Sequence, residues 1–523
     1  MQKNEYTKFI FVTGGVYSSL GKGVCAASIG RILVEYGYKV MIQKLDPYLN
    51  IDPTNLSLSE HGEIFVTSDG KEADLDLGTY ERFIDTDLKK YSSITMGKIY
   101  HQILQAERRN DFHGKTVQIV PHVTNKIIDF IKCNTDTKPN FVIVEIGGTV
   151  GDIESAPIFE AIYQFKNTYG YNNVMNIHVS PLIDLQNIGE LKTKPTQHSI
   201  KTLRSLGLSC NLLVLRLPYK IDQQTKDKLA ISCGIVQDNV FCAYDAESTY
   251  FVPNILYEQK IQYAIFDYFR ICPLTNHFDQ WIKFTSLIKK EKKQQIRIGI
   301  VGLYTSLPDA YKSVYESLFL ACIENDANLH AEYISLADES KVDVDELIRF
   351  DALIFPSQTT IKEGINHFQK VVDVIKQHKI RTLYLGHSSL IRLAIDKKTD
   401  FMKVDSIYNL PFINKSTDHY YVGAYKIQNI DSISRSIYQY ETVSERFKTR
   451  EMLVPDYLKN DQHFKVVSVL KENNAPVLIV NNDSHWFETL ALFEPQYSSK
   501  PLKVNPLFIN LIKQILEGRK DVK

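Results

Sequence analysis

Residues 14–23 read GGVYSSLGKG, a glycine-rich turn carrying a lysine near its end. Backbone N–H groups exposed by such a turn, together with the N-terminus of a following helix, can surround phosphate oxygens, and Lys22 adds positive charge. The motif is a variant: a standard P-loop places glycine where Val16 stands and serine or threonine where Gly23 stands. Without a hydroxyl at position 23, a bound Mg²⁺ has to find hard oxygen ligands elsewhere. Asp76, in ADLDLG, and Glu145, which closes FVIVEI before two glycines, are the candidate carboxylates. A solvated acidic loop is an equal reading for Asp76, whereas a carboxylate ending an apolar strand beside a Gly-Gly turn favours function. Lys44, in KLDP, is a second candidate cation, with an ordinary strand-end lysine as the competing reading. A Gly-rich loop, two lysines and a carboxylate-held Mg²⁺ suffice for phosphoryl transfer, which needs charge neutralisation and alignment.

These residues require strands that end together. Lys8–Gly14 (KFIFVTG), Lys39–Leu45 (KVMIQKL) and Phe141–Ile146 (FVIVEI) are short apolar runs, and Cys25–Tyr36 has helical spacing of apolar residues. Strand, turn and helix in alternation predict an α/β fold with a parallel, Rossmann-type, P-loop-like sheet. The ligand site then lies outside the carboxyl ends, where Gly14, Asp46 and Gly147 fall. Between Thr275 and Gln295 a helix is expected to run into the lysine-rich KKEKKQQ, and Ile296–Leu303 (IRIGIVGL) starts a new strand. Further strands are expected at ALIFP (from Ala352), RTLYLG (from Arg381) and APVLIV (from Ala475), so two α/β domains are predicted: 1–273, a linker at 274–295, and 296–523.

Composition excludes some classes. The 523 residues are 44% hydrophobic and 23% charged, with 61 Lys+Arg against 61 Asp+Glu, so neither disorder nor a basic nucleic-acid surface is expected. Seven cysteines with no C-x-x-C pair argue against disulfide or zinc frameworks. No apolar run approaches bilayer length and no signal-peptide pattern opens the chain, so a cytoplasmic protein without membrane partners is expected.

In order, GGVYSSLGKG, KLDPYLNIDP, DGKEADLDLGTYERF, VEIGGTVGDIES and KTKPTQHS resemble the CTP synthase family over most of residues 1–270, and GLYTSLPDAYKSV resumes the match near Gly302. The resemblance implies that ATP phosphorylates the 4-oxygen of UTP, that ammonia displaces the phosphate, and that Mg²⁺ is required. It implies ATP at Ser19, Leu20, Gly21, Lys22, Gly23, Val24 and Asp76, with Lys22 and Lys44 catalytic and Mg²⁺ on Asp76 and Glu145. It implies UTP or CTP at Ser18, Asp152, Ile153, Glu154, Lys192, Thr193, Lys194, Pro195, Thr196, Gln197 and Lys228. From the residues alone, Asp152 and Glu154 could equally stabilise their turn. Ser232 stands where the family has phenylalanine in K-x-x-x-F, which implies altered feedback by CTP. A homotetramer and GTP as a candidate allosteric effector come from the same resemblance. His61 and His122 are read as structural.

The family's C-terminal half resembles class I glutamine amidotransferases, which have a flavodoxin-like fold and need a cysteine nucleophile, a histidine base, an orienting carboxylate and a glycine-rich oxyanion loop. Here the motif for the nucleophile is YLGHSSLI, with Ser388 in the cysteine position, and no cysteine follows Cys322. The base position holds Glu494, the orienting position holds Gln496, and the oxyanion loop reads Pro356-Ser357-Gln358-Thr359-Thr360. An ordinary carboxylate is too weak a base to activate serine, and His387 is expected to point away from Ser388. The expectation is an ammonia-using ligase whose glutaminase site is degenerate. Two rivals are a synthetase subunit fed by a separate glutaminase and a nucleotide-binding or filament-forming scaffold; the intact Lys22, Lys44, Asp76 and Glu145 set disfavours the second.

Overall fold

The computed structural model describes residues 7–17, 19–133, 137–185, 190–337, 344–358, 364–397, 412–415, 420–483 and 485–520. The chain forms two units, one from Met1–Pro53 and Thr79–Ser286, the other from Thr54–Gly78 and Leu287–Lys523. Both are α/β. The first unit is therefore not continuous in sequence, and residues 54–78 belong with the C-terminal body. The helix before the second body, Asp279–Lys289, buries Trp281 against Phe83, Tyr250 and Phe284, and its indole N–H donates to the Tyr250 carbonyl at 3.1 Å.

The first unit is built on seven strands: β1 (Lys8–Gly14), β2 (Val40–Asp46), β3 (Ser93–Thr95), β4 (Phe141–Ile146), β5 (Val174–Pro181), β6 (Leu212–Leu217) and β7 (Val240–Tyr244). Their order is β7-β6-β5-β1-β4-β2-β3, and every pairing is parallel. Every residue of β1, β2 and β4 is buried, which is what near-continuous apolar runs covered by helices on both faces must do. The chain leaves β1 toward β2 but leaves β4 toward β5 on the far side of β1, so the loops after β1 and β4 open a crevice at the carboxyl ends.

The main sheet of the second unit is built on nine strands: β8 (Gln294–Gly302), β9 (Ala327–Ser335), β10 (Ala352–Phe355), β11 (Arg381–Leu385), β12 (Tyr421–Asn429), β13 (Thr442–Thr449), β14 (Phe464–Leu470), β15 (Pro476–Asn481) and β16 (Glu488–Ala491). In the order β9-β8-β10-β11-β16-β15-β14-β12-β13, the stretch from β9 to β16 is parallel and the remainder antiparallel. Residues 54–78 are tied to this unit at several points. The Glu63 carboxylate accepts from the Ser313 backbone N–H at 3.0 and 3.1 Å, Phe65 packs edge-on to Tyr497, and Arg446 donates to the Val66 carbonyl at 2.8 Å. Glu72 gathers the Tyr420 hydroxyl at 3.0 Å and the Lys448 ammonium at 3.3 Å.

Within the second core an ion pair is sealed from water: Arg392 Nε lies 2.7 Å from Glu488 Oε1, and Asn481 donates to the other Glu488 oxygen at 2.8 Å. Removing one member of such a pair strands a buried charge. Glu488→Gln should lower the denaturant midpoint of the second unit by about 3 kcal/mol equivalent, and pairing Arg392→Met with Glu488→Leu should recover most of the loss. Chemical unfolding followed by a probe in the second unit checks both.

Candidate functional site

The glycine-rich loop leaves β1 at Gly14 and enters the helix Lys22–Glu35 through Gly21, whose φ of 86° caps the helix in a left-handed conformation. Val16 and Ser19 also have positive φ, 78° and 57°. A β-branched residue in that region costs on the order of 1–3 kcal/mol, and such strain is typically kept where backbone must be presented to a ligand. The helix has no acidic residue in its first turn, so its positive end is not neutralised from within. Lys22 is buried, and its ammonium donates to the Gly148 carbonyl at 2.6 Å, while the Val150 N–H donates to the Gly14 carbonyl at 2.8 Å. These two bonds join the loops after β1 and β4. Leu20 and Gly23 are buried and Val24 half-buried behind them.

Beneath the loop lies a residue the sequence reading missed. His178, on β5 and fully buried, sits 2.9 Å from Thr13 Oγ1 and 2.8 Å from Ser199 Oγ. Burial, aided by the Lys22 charge, pushes its pKa down from 6.5 to about 3. Gly15 packs so closely over this pair that a Cβ there would overlap Ser199 Oγ, which explains the second glycine of the motif. Ser199 belongs to the helix Lys194–Ser205, and Thr196 anchors the same helix by donating to the Pro181 carbonyl at 2.7 Å. The KTKPTQHS segment is thus fastened directly under the glycine loop. Thr193 caps this helix and accepts from Gln197 Nε2 at 3.1 Å, Pro195 occupies its first turn, Lys192 lies opposite Ile183 in an antiparallel strand pair, and Lys194 is exposed.

The strand register brings other predicted residues together. Lys44 on β2 lies opposite Glu145 on β4, and Lys44 Nζ is 3.6 Å from Asp46 Oδ1. Glu145 is buried and accepts a hydrogen bond from the Tyr80 hydroxyl. Asp46 and Tyr80 therefore join the strand-end cluster. Asp152 accepts from the Thr149 N–H at 2.9 Å and from its hydroxyl, so it does stabilise the Gly-rich turn, while Ile153 and Glu154 are exposed. Lys228 is exposed on the helix Gln223–Cys233, and one turn on the Ser232 hydroxyl donates to its carbonyl at 2.8 Å. Asp76 opens the helix Asp76–Ile84, its N–H donating to Asp74 Oδ1 at 3.0 Å, and it falls in the segment that belongs to the second unit. Ser18 lies outside the described residues. A further cation was also missed: Arg216, near the end of β6, donates to the Ala243 carbonyl at 3.0 Å and pairs with Asp245 at 2.5 Å, and its Nε lies 3.7 Å from where a Cβ on Gly21 would stand. Its signal was the charge interrupting LLVLRL, the same signal that singled out Lys44. Among the described residues no three or more His, Cys, Asp or Glu side chains form a metal cluster by themselves. Buried carboxylate oxygen such as that of Glu145 nonetheless suits Mg²⁺, which keeps waters and substrate oxygens in its shell.

In the second unit, β11 turns into the helix His387–Asp396 at Gly386, with φ 50° and ψ −127°. The strained elbow is thus a glycine, and a Cβ there would collide with Glu494 Oε1 and Ser357 Oγ. Ser388 is buried one residue into the helix and donates to the Pro356 carbonyl at 2.6 Å. Gln496 donates to Glu494 Oε2 at 2.7 Å. His387 faces Glu451 at 2.8 Å, away from Ser388 as the sequence suggested. Thr359 and Thr360 lie outside the described residues.

Comparison with known proteins adds independent findings. A family model described as CTP synthase N-terminus matches residues 8–271. A putative CTP synthase of Ureaplasma parvum is 47% identical over 99% of this chain and 98% of its own length. The CTP synthase of Bacillus subtilis is 37% identical over 98% of this chain and 99% of its own. Among solved structures, a Trypanosoma brucei CTPS glutaminase domain with bound acivicin aligns at 16% identity and a TM-score of 0.38, covering 42% of this chain and 94% of that one.

The buried histidine makes a pH prediction. Because His178 is held to about 3 in the fold and returns toward 6.5 on unfolding, the unfolded state takes the proton first between those values. Stability of the first unit should be full above about pH 6.5 and fall as pH drops toward 3, and His178→Asn should flatten that slope. Denaturant midpoints measured across the window, wild type against variant, check it.

Proposed function

The chain belongs to the CTP synthase family, a ligase that forms a carbon–nitrogen bond from UTP and ATP, and we propose that it takes its nitrogen from free ammonia. The observation that carries the ammonia reading is the elbow after β11. Its strained position is Gly386, the adjoining Ser388 hydroxyl is spent on Pro356, Glu494 replaces a histidine base, and no cysteine follows Cys322. A thiol attack on glutamine has neither nucleophile nor base.

In the first unit the glycine loop (Ser19, Leu20, Gly21, Gly23 and Val24) and the positive end of its helix hold the ATP phosphates, with Lys22 neutralising charge on the transferred group. Lys44, held opposite Glu145, stabilises the same developing charge. Arg216 beside Gly21 adds a cation at the loop's outer side. Glu145 is the first-unit carboxylate that would hold Mg²⁺, and the ion would supply charge neutralisation and alignment between the phosphates. The uracil 4-oxygen attacks the γ-phosphorus and ADP leaves; ammonia then attacks carbon 4, loses a proton, and phosphate departs. Lys192, Lys194 and Lys228 serve the UTP triphosphate, with Ser18, Asp152, Ile153, Glu154, Thr193, Pro195, Thr196 and Gln197 around the nucleoside. Ser232 offers no ring to cover a base edge, so CTP feedback is altered. Synthesis resides in residues 1–273, with 274–295 as linker and 296–523 as the amidotransferase-like part. GTP as effector, a homotetramer and a cytoplasmic setting complete the proposal; among the described residues no helix is long and apolar enough to cross a membrane.

CTP formation from UTP and ATP with ammonium or glutamine as sole nitrogen source tests the reading. Ammonium should support turnover and glutamine should not; robust glutamine use by the purified chain would overturn it. Lys22→Ala should cut ammonium-dependent turnover by at least about 100-fold, the loss expected of one preorganised charge partner at the reacting group.

A further inference from the structure

Three side chains at the altered elbow adopt an arrangement that the synthesis reaction does not use. Ser357 Oγ, on the loop after β10, lies 3.4 Å from His387 Nδ1, and the other ring nitrogen, Nε2, lies 2.8 Å from Glu451 Oε2. Glu451 is buried and also accepts from the Thr449 hydroxyl at 2.5 Å and the Arg450 N–H at 3.0 Å. A carboxylate only accepts, and Thr449 has already given its hydrogen to Glu451, so Nε2 carries the ring proton. In that tautomer the Nδ1 lone pair faces the Ser357 hydroxyl. The His387 N–H donates to Ser357 Oγ at 3.2 Å, which stabilises negative charge on that oxygen. His387 has 17% of its side chain exposed and Ser357 is half-buried, so neither is sealed in the core. The next residue, Gln358, carries a buried amide nitrogen with no hydrogen-bond partner among the described residues.

We propose that Ser357, His387 and Glu451 form a nucleophile–base–carboxylate triad that hydrolyses carboxylic esters. Nucleophile and base stand at the looser separation seen before substrate binds, and a third group orients the base. Ser357 Oγ attacks the ester carbonyl carbon while its proton passes to His387 Nδ1. The tetrahedral oxyanion collapses, the carbon–oxygen bond to the leaving alkoxide breaks, and Nδ1–H protonates that alkoxide. Water, deprotonated by the same nitrogen, then cleaves the acyl-serine to a carboxylic acid and restores Ser357. Esters are the substrate class because the glycine-rich oxyanion loop is gone, and an ester carbonyl tolerates weak oxyanion support better than an amide. Glu451 is a positioning residue: it holds the ring and its tautomer without touching substrate.

The test uses the full chain, a fluorophosphonate probe and p-nitrophenyl butyrate. Peptide mapping of the wild-type adduct should place the probe on Ser357, a measurement that needs no variant to fold. Ester hydrolysis should vanish in Ser357→Ala and fall at least about 100-fold in kcat in His387→Gln. In Glu451→Gln kcat should fall with KM unchanged, which simple loosening of the fold would not produce; circular dichroism confirms that each variant is folded. An adduct absent from Ser357, or hydrolysis undiminished in Ser357→Ala, would overturn the proposal.

Discussion

A cation kept almost out of water, Lys22, and the carbonyl of Gly148 that receives it hold the first unit's site together. A buried ammonium is tolerable only where oxygen dipoles replace its hydration, so the loop after β4 must stay within reach of the helix that follows β1. The parallel order that places β4 beside β1 meets that demand, and the all-buried strands explain why the sheet does not slip. The same charge reaches down to His178, where it adds to burial in keeping the imidazole neutral. One positive group thereby shapes the loop above it and the hydrogen-bonded floor below.

Much of this was legible in the residues. Apolar runs ending in glycine or charge marked β1, β2 and β4, and the carboxylate and lysine terminating two of them proved to be register partners. What escaped notice had physical reasons. His178 and Arg216 sit inside or near the end of strands, where a lone polar residue in an apolar run reads as a packing detail until the neighbouring strand is known. The nucleophile position was read by motif spacing, which selects Ser388, but the backbone puts its sharp turn at Gly386, and a dihedral angle leaves no trace in composition. Asp152 illustrates a tie that sequence left open: its carboxylate accepts from the Thr149 N–H and hydroxyl and so stabilises the turn.

In the second unit, architecture and elbow chemistry rest on different residues. Its strand order and the sealed Arg392–Glu488 pair rest on core residues, whereas the elbow's chemistry rests on a few side chains at loop ends. Those two sets of residues are separable, because close packing constrains the first and only reactivity constrains the second. Glu494 fills the space over the glycine elbow, where a Cβ on Gly386 would stand.

The excursion of residues 54–78 onto the later body sets a timetable for biosynthesis. Glu63 waits for Ser313, 250 positions downstream, which at ribosomal speeds of about 5–20 residues per second is a delay of roughly 10–50 s. During that interval the nascent chain carries Phe65 and its neighbours without their eventual cover. Expressing the C-terminal half as a separate gene fragment would leave the complementary gap, since Tyr497 and Arg446 would lack the early segment they enclose.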